Sequence, residues 1–172
     1  MTLKNMTRPI DLPHQSRLTL ALRHLLDSQR IATLGTLSAE GKPFVSMVPF
    51  AIDPQAGCLV IHVSLLAPHT RNLLNAPQVS LLVMQAEVAG QPVHALPRVS
   101  LDGTAARLLP DSPAWQTARS AYLGRFPEAV PMTELGDFSF VAVTVTQARQ
   151  VAGFGAARAL DADEIASLLR PL

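Results

Sequence analysis

Cys58-Leu59-Val60-Ile61-His62-Val63-Ser64-Leu65-Leu66-Ala67-Pro68-His69-Thr70-Arg71-Asn72-Leu73 joins two elements of different kinds. Its first half is a continuous apolar run and reads as a buried strand. Its second half turns into a short helix ending near Asn75-Ala76-Pro77. Pro68 suits the first turn of that helix, where a missing N–H costs nothing. The free N–H groups and the positive dipole end of such a helix can hold an anion. Ser64, His69, Thr70, Arg71 and Asn72 would surround it with hydroxyl, imidazole, amide and guanidinium donors. Arg71 supplies the fixed charge for a bidentate phosphate contact. An ordinary helix start with a solvated arginine has the same local sequence, so the stretch alone leaves both readings open.

Outward from this turn the chain alternates between short apolar runs and turn residues. Segments 31–37, 44–52 and 58–63 read as successive antiparallel strands, separated by Ser38-Ala39-Glu40-Gly41-Lys42-Pro43 and Asp53-Pro54-Gln55-Ala56-Gly57. Segments 78–84, 97–107 and 138–146 continue the series, the last strongly β-branched. Consecutive antiparallel strands argue for a meander or a small barrel, a mainly β fold with added helices (α+β). Pro49 cannot donate to a ladder and marks an edge or bulge. The helices fall at 14–28, where Leu18, Leu22, Leu25 and Leu26 recur at helical spacing, at 113–124 behind an Asp111-Ser112 cap, and at the end behind Asp161. Residues 1–13, punctuated by Pro9 and Pro13, read as a flexible arm, and 14–172 as a single domain.

The composition sets further bounds. Charged residues make up 16% of 172, below the usual quarter, which suggests a surface covered by a second copy of the chain. A formal net charge of +1 gives no electrostatic case for nucleic acid or an anionic membrane. Cys58 is the single cysteine, so an intrachain disulfide and a cysteine-based zinc site are both excluded. No apolar run reaches membrane-span length and no signal-peptide core opens the chain, so a cytoplasmic protein is expected.

Independent catalytic machinery is not apparent. His14, His24, His62, His69 and His94 form no metal-binding pair, no GxSxG elbow occurs, and the carboxylates are scattered. Gly153-Phe154-Gly155 lacks the third glycine and the βαβ context of a dinucleotide fingerprint, and reads as a tight loop. No catalytic residue is nominated and no metal is expected. Any chemistry would be carried by a cofactor.

Five stretches taken together resemble one family. They are Ser64-x-Leu66-Ala67-x-His69-Thr70-x-Asn72-Leu73, Pro97-Arg98-Val99-Ser100-Leu101-x-Gly103-x-Ala105, Tyr122-Leu123-x-Arg125-Phe126-Pro127-x-Ala129, Asp137-Phe138, and Ala148-Arg149-x-Val151-x-Gly153-Phe154-Gly155-x-Ala157. In this order they are similar to the pyridoxamine 5'-phosphate oxidase-like, FMN-binding split-barrel proteins, and most similar to their haem-utilisation-related branch. The resemblance implies a six-stranded antiparallel split barrel that forms a homodimer with FMN sites at the subunit interface. It implies that Val45, Ser46, Met47 and Val48 line the flavin ring. It also implies that Ser64, Thr70, Arg71 and Asn72 hold phosphate and ribityl, with Arg98 a further candidate, and the cradle read from the turn adds His69. The function implied is an FMN-dependent oxidoreductase acting on a small molecule, with haem binding or haem degradation, or a non-catalytic flavin-binding dimer, as alternatives. The phosphate turn has no lysine and the chain ends in Ser167-Leu168-Leu169-Arg170-Pro171-Leu172, without an arginine-rich ending, which speaks against vitamin B6 oxidation. Haem-utilisation relatives often carry a late histidine that ligates iron. None follows His94 here, which leaves His62, His69 or His94 for that role.

Overall fold

The structure is a computed structural model that describes residues 17–170. Helix α1 (Arg17–Ser28) leads into the hairpin β1 (Ile31–Leu37) and β2 (Pro43–Asp53), then β3 (Cys58–Ser64), α2 (Pro68–Asn75) and β4 (Gln78–Met84). The chain continues through β5 (Arg98–Arg107), α3 (Pro113–Arg125), β6 (Phe138–Val151), β7 (Ala157–Asp161) and α4 (Ala162–Leu169). The arm expected over 1–13 and the start of the helix expected from His14 lie outside the described residues.

Strands run in the order β3-β2-β1-β4-β5-β6-β7, and β3 also pairs with β6, which closes six strands into an antiparallel barrel. Closure pairs the outer edge of β3, which an open sheet would leave exposed. It also explains why Cys58–Ser64 shows no polar alternation. Leu59, Ile61 and Val63 face the barrel core with Leu22, Leu34 and Leu101. Cys58 and Val60 face outward into a second core that α3 closes with Tyr122 and Phe126 against Phe140. A strand covered on both sides has no solvent face to make polar.

Helix α1 buries Leu22, Leu25 and Leu26 in the barrel core, and α4 adds Ile165, Leu168 and Leu169. Arg125 binds the two layers together. Its guanidinium lies 4.9 Å over the Phe50 ring, and Nη2 donates to the carbonyls of Leu26 (2.9 Å) and Gln29 at the end of α1. Burial holds the Arg125 pKa below its ordinary value.

Two features differ from the sequence expectation. The sixth strand runs on to Val151, and β7 exists where a loop was expected. Both arise from one pairing, Gln147–Val151 against Ala157–Asp161, with Gly153-Phe154-Gly155 as the turn and Phe154 at its exposed tip. Pro49 sits where its lack of an N–H does no harm: it is the last β2 residue paired with β1, just before β2 changes partner to β3 at Phe50.

Candidate functional site

The barrel is split on one side of β2. Residues 43–49 pair only with β1, and β3 joins β2 only from Phe50 to Asp53. Which backbone groups face the split follows from two bonds. Ser38 N–H donates to the Lys42 carbonyl (2.9 Å) and Phe50 N–H to the Arg30 carbonyl (3.2 Å), so both pairs belong to the hydrogen-bonded set of the β1–β2 ladder. Antiparallel pairs alternate, so Phe44, Ser46 and Val48 bond to β1. The backbone N–H and C=O of Val45 and Met47 therefore turn toward the open edge. The Val45 and Met47 side chains stand on the outer wall at 64% and 60% exposure.

Helix α2 lies against this split. Asn72 Nδ2 donates to Thr36 Oγ1 on β1 at 3.0 Å, and Ser46 Oγ is 3.1 Å from His69 Nδ1. The turn before α2 is fixed from within. Ser64 Oγ donates to Asp137 Oδ2 (3.1 Å) and accepts the Leu66 N–H (3.2 Å), while buried Thr70 donates its hydroxyl to the Ser64 carbonyl at 2.7 Å. No side chain caps the helix start at Ala67.

The residues expected to form a cradle thus divide. Ser64 and Thr70 spend their hydroxyls inside the turn, and Asn72 spends its amide on Thr36. His69 and Arg71 keep free side-chain nitrogens: His69 makes no bond at Nε2 among the described residues, and the exposed Arg71 guanidinium makes no hydrogen bond or ion pair among them. Two residues along a helix turn it by roughly 200°, so Arg71 leaves α2 on the side away from the wall that His69 faces. Of the strand expected to line a flavin ring, Val45 and Met47 are accessible, Ser46 is partly covered and Val48 is in the barrel core. Arg98 is elsewhere. It pairs with Met84 at the far end of β4, roughly 17 Å along β5 from the level of Gly103, and donates to the carbonyls of Leu96 (3.0 Å) and His94 (3.3 Å).

Sequence reasoning missed Thr36 and did not foresee what Asp137 does. Asp137 belongs to a recognised motif, but its bond to Ser64 spans 73 residues. Thr36 offered no signal: it is an ordinary alternating strand residue, and its partner lies on another element.

The other histidines are placed differently. His62 is buried, stacked among Phe138 (5.1 Å), Phe140 (4.4 Å) and Tyr122 (5.6 Å), and its Nδ1 has no partner. Burial drives its pKa down to about 4. This packing removes it from the residues that could reach a ligand at the surface. His69 is half-buried, and burial lowers its pKa as well, which favours the neutral imidazole. His24 and His94 are exposed, on α1 and on the 3-10 turn Val93–Ala95.

The site suits a planar apolar group with an anionic or polar edge: apolar side chains flank an open strand edge, a neutral imidazole lies beside it, and a free arginine stands on the helix that closes it. Haem fits that donor set through the imidazole, and FMN through the strand edge and the helix start. No helix among the described residues is long and apolar enough to cross a membrane.

Comparison with known proteins places the chain. The pyridoxamine 5'-phosphate oxidase profile matches residues 18–152, a span that contains the whole site. The heme oxygenase HutZ of Vibrio cholerae is 30% identical over 152 residues, 88% of this chain and 85% of HutZ. The chloroplastic heme oxygenase HOZ of Arabidopsis thaliana is 35% identical over 138 residues, 79% of this chain but 40% of that protein. A heme binding protein from Mycobacterium smegmatis superposes with a TM-score of 0.79 at 30% identity, covering 90% of this chain and 62% of that one. Profile, sequence and closed barrel agree: the chain belongs to the pyridoxamine 5'-phosphate oxidase family of split-barrel proteins, and within it resembles haem oxygenases and haem-binding proteins.

Proposed function

We propose that this protein binds haem and acts in its degradation. The observation that carries the reading is that relatives from a bacterium and a plant, matched over most of this chain, are both heme oxygenases. The geometry supports it. Ser64, Thr70 and Asn72 have little donor capacity left for a phosphate, whereas a porphyrin asks chiefly for apolar surface and a cation for its carboxylates. When bound, haem supplies the iron at which dioxygen is reduced. The chain's own part is to hold and shield it at the open edge of β2.

The exposed outer wall of β1, β2 and β4 supports the expected homodimer. Ile31, Leu37, Val45, Met47 and Met84 are all exposed there, a contiguous apolar face of the kind that a second copy covers. In that assembly the site lies at the subunit interface. Single, buried Cys58 suits a reducing cytoplasm.

A second reading, FMN as the bound cofactor, is favoured by one observation: the Val45 and Met47 backbone groups at the open edge match the donor and acceptor edge of a flavin ring.

The test is turnover. The protein loaded with equimolar hemin is incubated with ascorbate in air, with catalase present to remove free peroxide. Loss of the Soret band with release of chelatable iron is the expected result. A Soret band that persists, or that bleaches only when catalase is omitted, contradicts degradation by this protein.

A further inference from the structure

We infer that His69 is the protein ligand to the haem iron in this chain, with the Ser46 hydroxyl fixing its ring; the inference rests on the haem reading above. Among the described residues, no three His, Cys, Asp or Glu side chains converge to hold a bare metal ion. A single imidazole suffices for iron that arrives already held by its porphyrin. His62 is enclosed by three aromatic rings. His24 stands on α1 and His94 on the turn beside Arg98, both away from the split of β2. His69 alone among the described histidines borders the open strand edge.

Its local chemistry is that of a ligating histidine. Metal-bound imidazoles characteristically donate their second N–H to a fixed acceptor, which sets the tautomer and ring orientation. Ser46 Oγ, 3.1 Å from Nδ1, is such an acceptor. With Nδ1–H donating to it, the lone pair resides on Nε2, the nitrogen without a hydrogen bond. The ring is also anchored at its root: Asn72, one turn on, is tied to Thr36, and Thr70 to Ser64, so α2 presents His69 from a rigid platform.

The test is hemin titration of the whole protein, followed by the spectra of the ferric, ferrous and ferrous–CO states. His69→Ala, His94→Ala and Ser46→Ala are compared with the parent, each checked for folding by circular dichroism. The parent and His94→Ala are expected to show one imidazole-ligated spectrum. His69→Ala is expected to lose that spectrum and bind hemin at least about 10-fold more weakly, with added imidazole restoring the spectrum. Ser46→Ala is expected to weaken binding by roughly 10-fold while keeping the ligation state. A folded His69→Ala protein that keeps the parent spectrum overturns the assignment and leaves the haem reading intact. If the parent binds no hemin, both fall.

Discussion

Thr70→Val separates the residues that build the turn from those that meet a ligand. The substitution keeps the shape of a buried side chain and removes one hydroxyl, which donates to the Ser64 carbonyl at 2.7 Å. That carbonyl also accepts the Ala67 N–H at 3.1 Å, so it is not orphaned. The cost is then the net worth of one intramolecular hydrogen bond, about 1 kcal/mol, without the larger penalty of an unsatisfied buried group. For a chain of this size that lowers Tm by roughly 2–4 °C. The assay is thermal unfolding of the apoprotein at one fixed concentration, because self-association would shift Tm by mass action. Hemin and FMN affinity are measured in parallel. The expected result is the drop in Tm with ligand affinity within about 2-fold of the parent, since the hydroxyl is already engaged. An unchanged Tm with a 10-fold loss of ligand affinity would make the hydroxyl a ligand donor instead.

Three further outcomes follow from the structure. Gly103→Ala places a Cβ 2.5 Å from the Thr144 carbonyl oxygen, at the register shift between β5 and β6. Urea denaturation should show a loss of about 3 kcal/mol. Buried His62 titrates at about 4 when folded, against about 6.5 unfolded. The unfolded chain therefore takes up the proton first, and stability falls as pH drops from about 6.5 toward 4, by up to about 3 kcal/mol. His62→Leu should flatten that limb of the stability–pH curve measured by urea denaturation. Met47→Arg puts a charge on the exposed apolar wall of β2 and should convert a dimer to a monomer in sedimentation velocity. A parent protein that sediments as a monomer would contradict the proposed interface.

Much of the fold was legible because its determinants are local. The Cys58–Ser64 run, the Pro68 helix start, the Ser112 cap that accepts the Trp115 N–H and the Asp161–Glu164 capping box each announce themselves within a few residues. Strand β7 did not, because Ala157–Asp161 carries no β-branched residue and owes its form to pairing with the overhanging end of β6. The site was half legible. The motif around α2 located it, but donor inventory is not donor availability. Ser64, Thr70 and Asn72 are engaged with Asp137, Ser64 and Thr36, and only folding reveals that. Arg98 shows the same limit: the sequence cannot say that its guanidinium turns back onto its own loop.

A competition decides between haem and FMN as the bound group. The apoprotein is equilibrated with equal amounts of hemin and FMN, desalted, and its visible spectrum recorded. Haem preference predicts a retained Soret band with no flavin absorbance. Retained flavin without a Soret band would contradict it.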